Sequence, residues 1–99
     1  MTAYVVLTQQ VSDVDRYVGE YAPQAMPILQ KYGIEVLVFQ IGATSLEGDA
    51  DSVVVLRADS EDDLRGFYDD PGYAGPKALR HSITSGAAMV LAPAFTPPS

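Results

Sequence analysis

The 99-residue sequence predicts an α+β domain with the element order βαββαβ. Three observations point there. Two stretches, after Ser12 and after Ser60, carry apolar residues at helical spacing, and each opens on a serine answered three residues later by an aspartate. Four other runs are rich in β-branched and aromatic residues without helical period. These segments follow one another as strand, helix, strand, strand, helix, strand. That is the ferredoxin-like order, a four-stranded antiparallel sheet with two helices on one face.

Ala3 to Val11 reads as the first strand. Ser12 is placed to cap the first helix, with Asp15 completing the capping box. Val14, Tyr17, Val18, Tyr21, Ala25, Ile28, Leu29 and Tyr32 then form one apolar stripe. Pro23 and Pro27 interrupt it. Each removes a backbone donor and crowds the carbonyl four residues earlier, and Gly19 absorbs part of that crowding ahead of Pro23. A kinked helix, or two helical pieces, is expected. Gly33 caps its end.

"IEVLVFQIGATSLEG", Ile34 to Gly48, reads as a long second strand bent near Gly42, with a turn at Gly48–Asp51. "SVVVLRA" is the third strand. Ser60 caps the second helix, Asp63 answers it, and Leu64, Phe67 and Tyr68 form its buried face. Pro71 and Gly72 stop it. "AGPKALRHS" adds a short helical turn, and "GAAMVLA" is the last strand. Residues 1–95 make a single domain, and the proline-rich 96–99 form a flexible tail.

The strands do not alternate. Val5 and Val6, Val36 to Phe39 and Val53 to Leu56 are apolar on both faces. A sheet with one wet face alternates apolar and polar residues. The second face therefore needs a cover, and a chain this small cannot supply it alone. The simplest cover is the same face of another copy, so a homodimer is expected.

Composition excludes several functions. The formal net charge is −7, with six Lys and Arg scattered along the chain. No cationic face is available for nucleic acid or for an anionic membrane surface. There is no cysteine, which removes disulfides, thiolate nucleophiles and cysteine zinc sites, and a single histidine removes His-rich metal sites. A reducing cytoplasm fits. The acidic clusters Glu47–Asp51, Asp59–Asp63 and Asp69–Asp70 read as solvated turns or helix starts, and Asp49 and Asp51 lack the further oxygens of a calcium loop. "MTAYVVLTQQ" is neither a signal peptide nor a membrane span.

The opening "AYVV", the helix "SDVDRYVGEY", Gly33, "LEG" at Leu46–Gly48 and the run "VVLRADSEDDLRGFYDDPGYAGPKALR" carry a resemblance. Ser60, Phe67–Tyr68, Pro71, Tyr73, Lys77, Leu79 and Arg80 fall at its recurring positions. The chain resembles the small proteins of domain-of-unknown-function family 1330, in the dimeric α+β-barrel superfamily. The resemblance covers nearly the whole chain. It implies a homodimer whose sheets face each other as a barrel, and it implies no particular reaction. Where the family often has an arginine followed by glycines, this chain has "FQIG", Phe39 to Gly42. The acid usual between Pro71 and Tyr73 is Gly72, and Pro76 precedes Lys77. These departures imply a more apolar cavity with a reshaped rim.

"DDPGYAGPKALRHS" gathers most of the candidate chemistry. His81 suits proton transfer at neutral pH, but an exposed or hydrogen-bonded position before a strand is the commoner use of such a residue. A lone axial haem ligand is a third reading that nothing else in the chain supports. Arg80 can anchor a carboxylate or enolate, or pair with Glu47 or an aspartate. Tyr73, Tyr68 and Tyr4 can pack in the core while their hydroxyls reach a ligand. Lys77 reads as a solvated charge. No nucleophile-elbow motif or phosphate loop is present. Tyr73 and His81 are thus the catalytic candidates, and Arg80, Phe39, Tyr4 and Tyr68 the substrate-binding ones, with Tyr73 to Ser82 expected as a rim over the cavity.

Two function classes remain. One is a cofactor-independent isomerase, cyclase or lyase moving a proton on a small, largely apolar organic molecule between sheet and helices, with a cofactor-free oxygenase as a variant. The other is a dimeric ligand-binding or accessory protein without turnover.

Overall fold

The computed structural model describes residues 1–98, so Ser99, the last residue of the expected tail, lies outside the described residues. The elements run β1 (Ala3–Val11), α1 (Val14–Arg16), a π-helical turn (Tyr17–Tyr21), α2 (Ala22–Lys31), β2 (Glu35–Ile41), β3 (Ser52–Ala58), α3 (Glu61–Asp69), a 3₁₀ turn (Pro71–Tyr73), α4 (Ala74–Ser82) and β4 (Thr84–Pro93). The four strands form one antiparallel sheet in the order β2-β3-β1-β4. This is the ferredoxin-like α+β fold.

Along β1 the side chains alternate. Ala3, Val5, Leu7 and Gln9 are buried under the helices, while Tyr4, Val6, Thr8 and Gln10 point to the open face. The helix-side core adds Leu56, Ala58, Leu64, Phe67, Ile83 and the helical residues Tyr17, Tyr21, Ala25 and Leu29. On the open face Val38 pairs with Val55, Val55 with Val6 and Val6 with Val90. One row of four valines therefore crosses the whole sheet.

Several sequence expectations change. Ser12 does not cap the first helix. Its N–H and its hydroxyl both donate to Ile83 O, at 2.8 and 2.9 Å, and Asp13 caps instead by accepting from Arg16 N. The long-range tie to Ile83 outcompetes the local cap. The stripe is narrower than its spacing suggests, because Val14 and Val18 are about half exposed. The helix stays continuous through Pro23. That proline cannot donate to Gly19 and its ring crowds the Gly19 carbonyl, and the preceding turn widens so that Ala22 N–H bonds back to Tyr17 O.

The second strand ends at Ile41 rather than Gly48. Gly42 takes a positive φ of 83°, and the amides of Gly42 and Ala43 both donate to Asp51 O, closing residues 42–51 into an exposed loop. A bulge between Val36 and Val38 shifts the pairing of β2 on β3. Ser60 caps α3 by accepting from Asp63 N. Tyr68 stands at the edge of that helix, more than a third exposed, rather than on its buried face. "AGPKALRHS" is a full nine-residue helix, α4, so three helical segments cover the sheet. Pro76 is buried in its first turn, where no donor is required of it.

Candidate functional site

The helix side of the sheet holds a narrow cavity of about 40 Å³, lined by residues including Leu7, Tyr17, Tyr21, Leu29, Phe39, Phe67 and Met89. Met26 and Phe39, both more than 40% exposed, also line it and stand at its outer mouth. Phe39 faces this way because of the β2 bulge. Simple alternation from Val36 would have aimed Val38 at the helices, and the extra residue delivers Phe39 instead, paired with Val54. Its ring lies 5.9 Å from that of Tyr17.

At the inner end the tyrosines meet a buried polar cluster. The Arg80 side chain belongs to a residue only 2% exposed. Its Nη1 donates to Gln9 Oε1 at 3.4 Å, and Gln9 Nε2 donates to the Tyr17 hydroxyl at 2.8 Å. The hydroxyls of Tyr21 and Tyr73 share a hydrogen bond of 2.5 Å. Among the described residues, the ion pairs involve Arg16, Lys31, Arg57 and Arg65, and none reaches Arg80. Its Nε is buried with no partner. A buried cation without a carboxylate is costly and needs a reason. Burial pushes the guanidinium's pKa down, while Tyr73, Tyr21 and Tyr17 push it up, and the net shift is upward. It stays charged.

That charge acts on the tyrosines. Burial raises the Tyr17 pKa, while Gln9 and Arg80 pull it back. Tyr21 is raised much further, by burial first and then by Tyr73, against the pull of Arg80. Both hydroxyls are neutral donors at neutral pH.

The candidates read from sequence divide among three places. Tyr73 and Arg80 join the buried cluster, Tyr73 with no exposure at all, so the expected rim over the cavity is instead a surface helix that packs one face, Pro76 and Arg80, inward. Phe39 lines the cavity. Tyr68 lies on a neighbouring groove, with Lys77 Nζ 3.7 Å above its ring. Tyr4 is on the open face of the sheet, across from the cavity, because odd-numbered positions of β1 face the helices. His81 is exposed and lines neither the cavity nor the neighbouring groove. Its Nε2 is 3.3 Å from Arg80 Nη2. Since a guanidinium only donates, that nitrogen accepts and the ring is neutral. Partial burial lowers the His81 pKa first, and the charges of Arg80 and Lys77 lower it further.

Gln9, Tyr17 and Tyr21 were not singled out by sequence as site residues. Gln9 carried a signal: it is a polar residue in the buried register of an apolar strand. Among the described residues no group of three His, Asp or Glu side chains converges as metal ligands, and no helix is long and apolar enough to cross a membrane.

Residues 2–94 match the family described as Domain of unknown function (DUF1330). The chain belongs to that family. No curated protein matches it. Among solved structures, a protein of unknown function from Rhodopseudomonas palustris superposes with a TM-score of 0.78 at 14% identity, over 97% of this chain and 84% of that one. A variant of SnoaB, a cofactor-independent oxygenase from Streptomyces nogalater, gives 0.70 at 9% identity, over 97% and 95%. A dimeric ferredoxin-like protein of unknown function from Thermobifida fusca gives 0.57 at 18% identity, over 95% and 92%. At these identities the likeness of this DUF1330 chain to the three structures is one of fold.

Proposed function

We propose that this DUF1330 protein is a cofactor-independent enzyme that moves a proton on a small, largely apolar organic molecule held between sheet and helices. The observation that carries the reading is the buried, carboxylate-free Arg80 behind the two tyrosines of an otherwise apolar cavity. Tyr17 accepts from Gln9, so its own proton is free to point at a bound oxygen. Tyr21 offers the same donor when Tyr73 donates to it. A bound molecule whose oxygen gains negative charge as it loses a proton is stabilised there by the Tyr17 donor, by Tyr21 in that orientation, and by a nearby cation in an apolar site. No carboxylate lines the cavity, so the proton leaves to water at the Met26–Phe39 mouth. Arg80 anchors through the tyrosines, Tyr73 positions Tyr21, and Phe39 selects apolar ligands. Isomerisation, cyclisation, elimination and cofactor-free oxygenation all start from such an anion, and the fold it shares with SnoaB is compatible with the last.

The protein works as a homodimer in this reading. The valine row gives each copy an apolar face to set against the same face of the other, as the dimeric ferredoxin-like neighbour would suggest. Cytoplasmic placement is part of the proposal, and the absence of cysteine is compatible with it.

The test is solvent deuterium uptake into an aryl β-diketone, followed by proton NMR. Uptake accelerated by the wild type and lost in the Tyr17→Phe, Tyr21→Phe double variant supports the enzyme. Tight binding without accelerated uptake supports the second reading, a non-catalytic ligand-binding dimer.

A further inference from the structure

A cavity of about 40 Å³ holds a few water molecules, whereas a dry cavity that admits benzene measures about 150 Å³. Any organic ligand must therefore displace part of the wall. The wall is thin in one direction. A second hollow of about 290 Å³ lies between α3 and the β1–β4 side of the sheet, lined by Val5, Leu64, Arg65, Tyr68, Asp69, Met89 and Leu91. Met89 lines both spaces. The register explains the arrangement. Leu7 pairs with Met89 at the cavity, and one step along the same face Val5 pairs with Leu91 in the groove. The groove is on the helix side of the sheet, so pairing of two copies through the valine row leaves it open.

We infer that Met89 is a movable partition between the cavity and this groove, and that the ligand is an elongated apolar molecule with one acidic oxygen, its head at Tyr17 and Tyr21 and its tail lying past Met89 in the groove. The inference rests on the cavity being the ligand site, as proposed above. Its own support is the side chains. Phe67, the neighbouring wall residue, is 2% exposed and packs tilted against Tyr73, with ring centroids 4.4 Å apart, so it is fixed. Met89 is half-buried and unbranched, with three rotatable bonds, and can swing without moving the backbone. The floor beyond it, Val5, Leu64 and Leu91, is apolar and suits a hydrocarbon tail. Arg65 and Asp69 border the groove and mark where the tail meets water.

The experiment measures displacement of anilinonaphthalene sulfonate by straight-chain carboxylates from hexanoate to dodecanoate. In the wild type each added methylene that enters the groove tightens binding about threefold to fourfold. Met89→Ala removes the partition and strengthens the longer acids selectively. Met89→Leu, of similar volume but stiffer, keeps the fold and weakens the longer acids selectively. Met26→Leu, at the opposite mouth, leaves the length profile unchanged, and Arg65→Gln does not weaken the shortest acids, whose tails stop short of the groove, because the head lies inside. A length profile identical in wild type, Met89→Ala and Met89→Leu, with binding intact, overturns the partition while sparing the cavity. A uniform loss in Arg65→Gln overturns the head-in orientation. Failure of every acid and of the dye to bind any of these proteins removes the cavity reading, and the partition with it.

Discussion

Gln9 and Tyr17 are joined by a hydrogen bond of 2.8 Å in which the amide nitrogen is the donor. The direction is set from outside the pair. Arg80 has only donors, so the oxygen of the Gln9 amide must face it, at 3.4 Å, and the nitrogen is left for Tyr17. Through one glutamine, a buried cation fixes which way a tyrosine hydroxyl points. Its oxygen is occupied, and its proton is directed elsewhere.

Tyr17→Phe tests this chain of donors. The substitution leaves the buried Gln9 Nε2 without its acceptor, which costs about 1–3 kcal/mol. Urea unfolding should show that loss, and dye binding should weaken. The double variant with Gln9→Leu should recover part of the stability, since no unpaired amide remains, yet recover none of the binding. Additive losses of stability in the double variant would mean that the two side chains act independently.

Arg80→Met separates function from stability. A guanidinium buried without a carboxylate is costly to desolvate, and removing it relieves that cost while leaving the buried Gln9 Oε1 without its donor, a loss of about 1–3 kcal/mol. The melting temperature should change little. A naphthol bound to the wild type should ionise at lower pH than free naphthol, as the cation favours the naphtholate, and that shift should vanish in Arg80→Met. Absorbance titration reads it directly. A large fall in melting temperature would instead make Arg80 a structural residue.

Why the fold was legible and the site was less so follows from particular residues. Ser60 with Asp63, Gly33 and the β-rich runs are local signals, and they hold because nothing distant competes with them. Ser12 failed as a cap because Ile83, far along the chain, claimed both its donors. β2 stopped early because Asp51 O gathered the amides of Gly42 and Ala43. Arg80 and Tyr73 were visible as candidates, but Gln9, Tyr17 and Tyr21 were not. Gln9, Tyr17, Tyr21 and Tyr73 come from β1, the π-helical turn and the 3₁₀ turn, and only packing brings them together. Phe39 reaches the cavity through a bulge that no spacing rule announces.

His81→Ala should leave both ligand affinity and solvent deuterium uptake within about twofold of the wild type. A general acid or base contributes about 10²–10⁴ in rate. His81 stands at the surface end of the cluster with Arg80 between it and the tyrosines, and a guanidinium does not release its protons. A fall in uptake of the larger size, with the fold intact, would restore His81 as the proton carrier.

Val6→Glu should convert a dimer into a monomer. Val6 is the third member of the row Val38–Val55–Val6–Val90, and each copy already carries a net charge of −7. In the proposed dimer a buried carboxylate facing its symmetry mate would add desolvation and repulsion at the centre of an interface expected to bury roughly 1,600 Å². Sedimentation velocity should give a wild-type dimer and a variant monomer at micromolar concentration. A monomeric wild type would remove the barrel.

Asp70 governs the acid limb of stability. Its carboxylate accepts from Lys31 Nζ at 2.8 Å, the Tyr32 hydroxyl at 2.7 Å and Gly72 N at 2.7 Å, tying the end of α2 to the turn after α3. Lys31 first, then Tyr32 and the Gly72 amide, hold its pKa down at about 2 against an ordinary 3.8. The folded-state pKa is the lower one, so the unfolded chain takes up the proton first as pH falls. The stabilisation is complete above about pH 4 and is lost between there and pH 2. Asp70→Asn forfeits it at neutral pH and no longer titrates, so its stability should fall less steeply than the wild type's across that window. Tyr32→Phe removes one donor and should move the wild-type acid midpoint upward. Thermal melts at closely spaced pH values between 2 and 5 would show both effects, and parallel acid limbs in wild type and Asp70→Asn would assign the transition to other carboxylates.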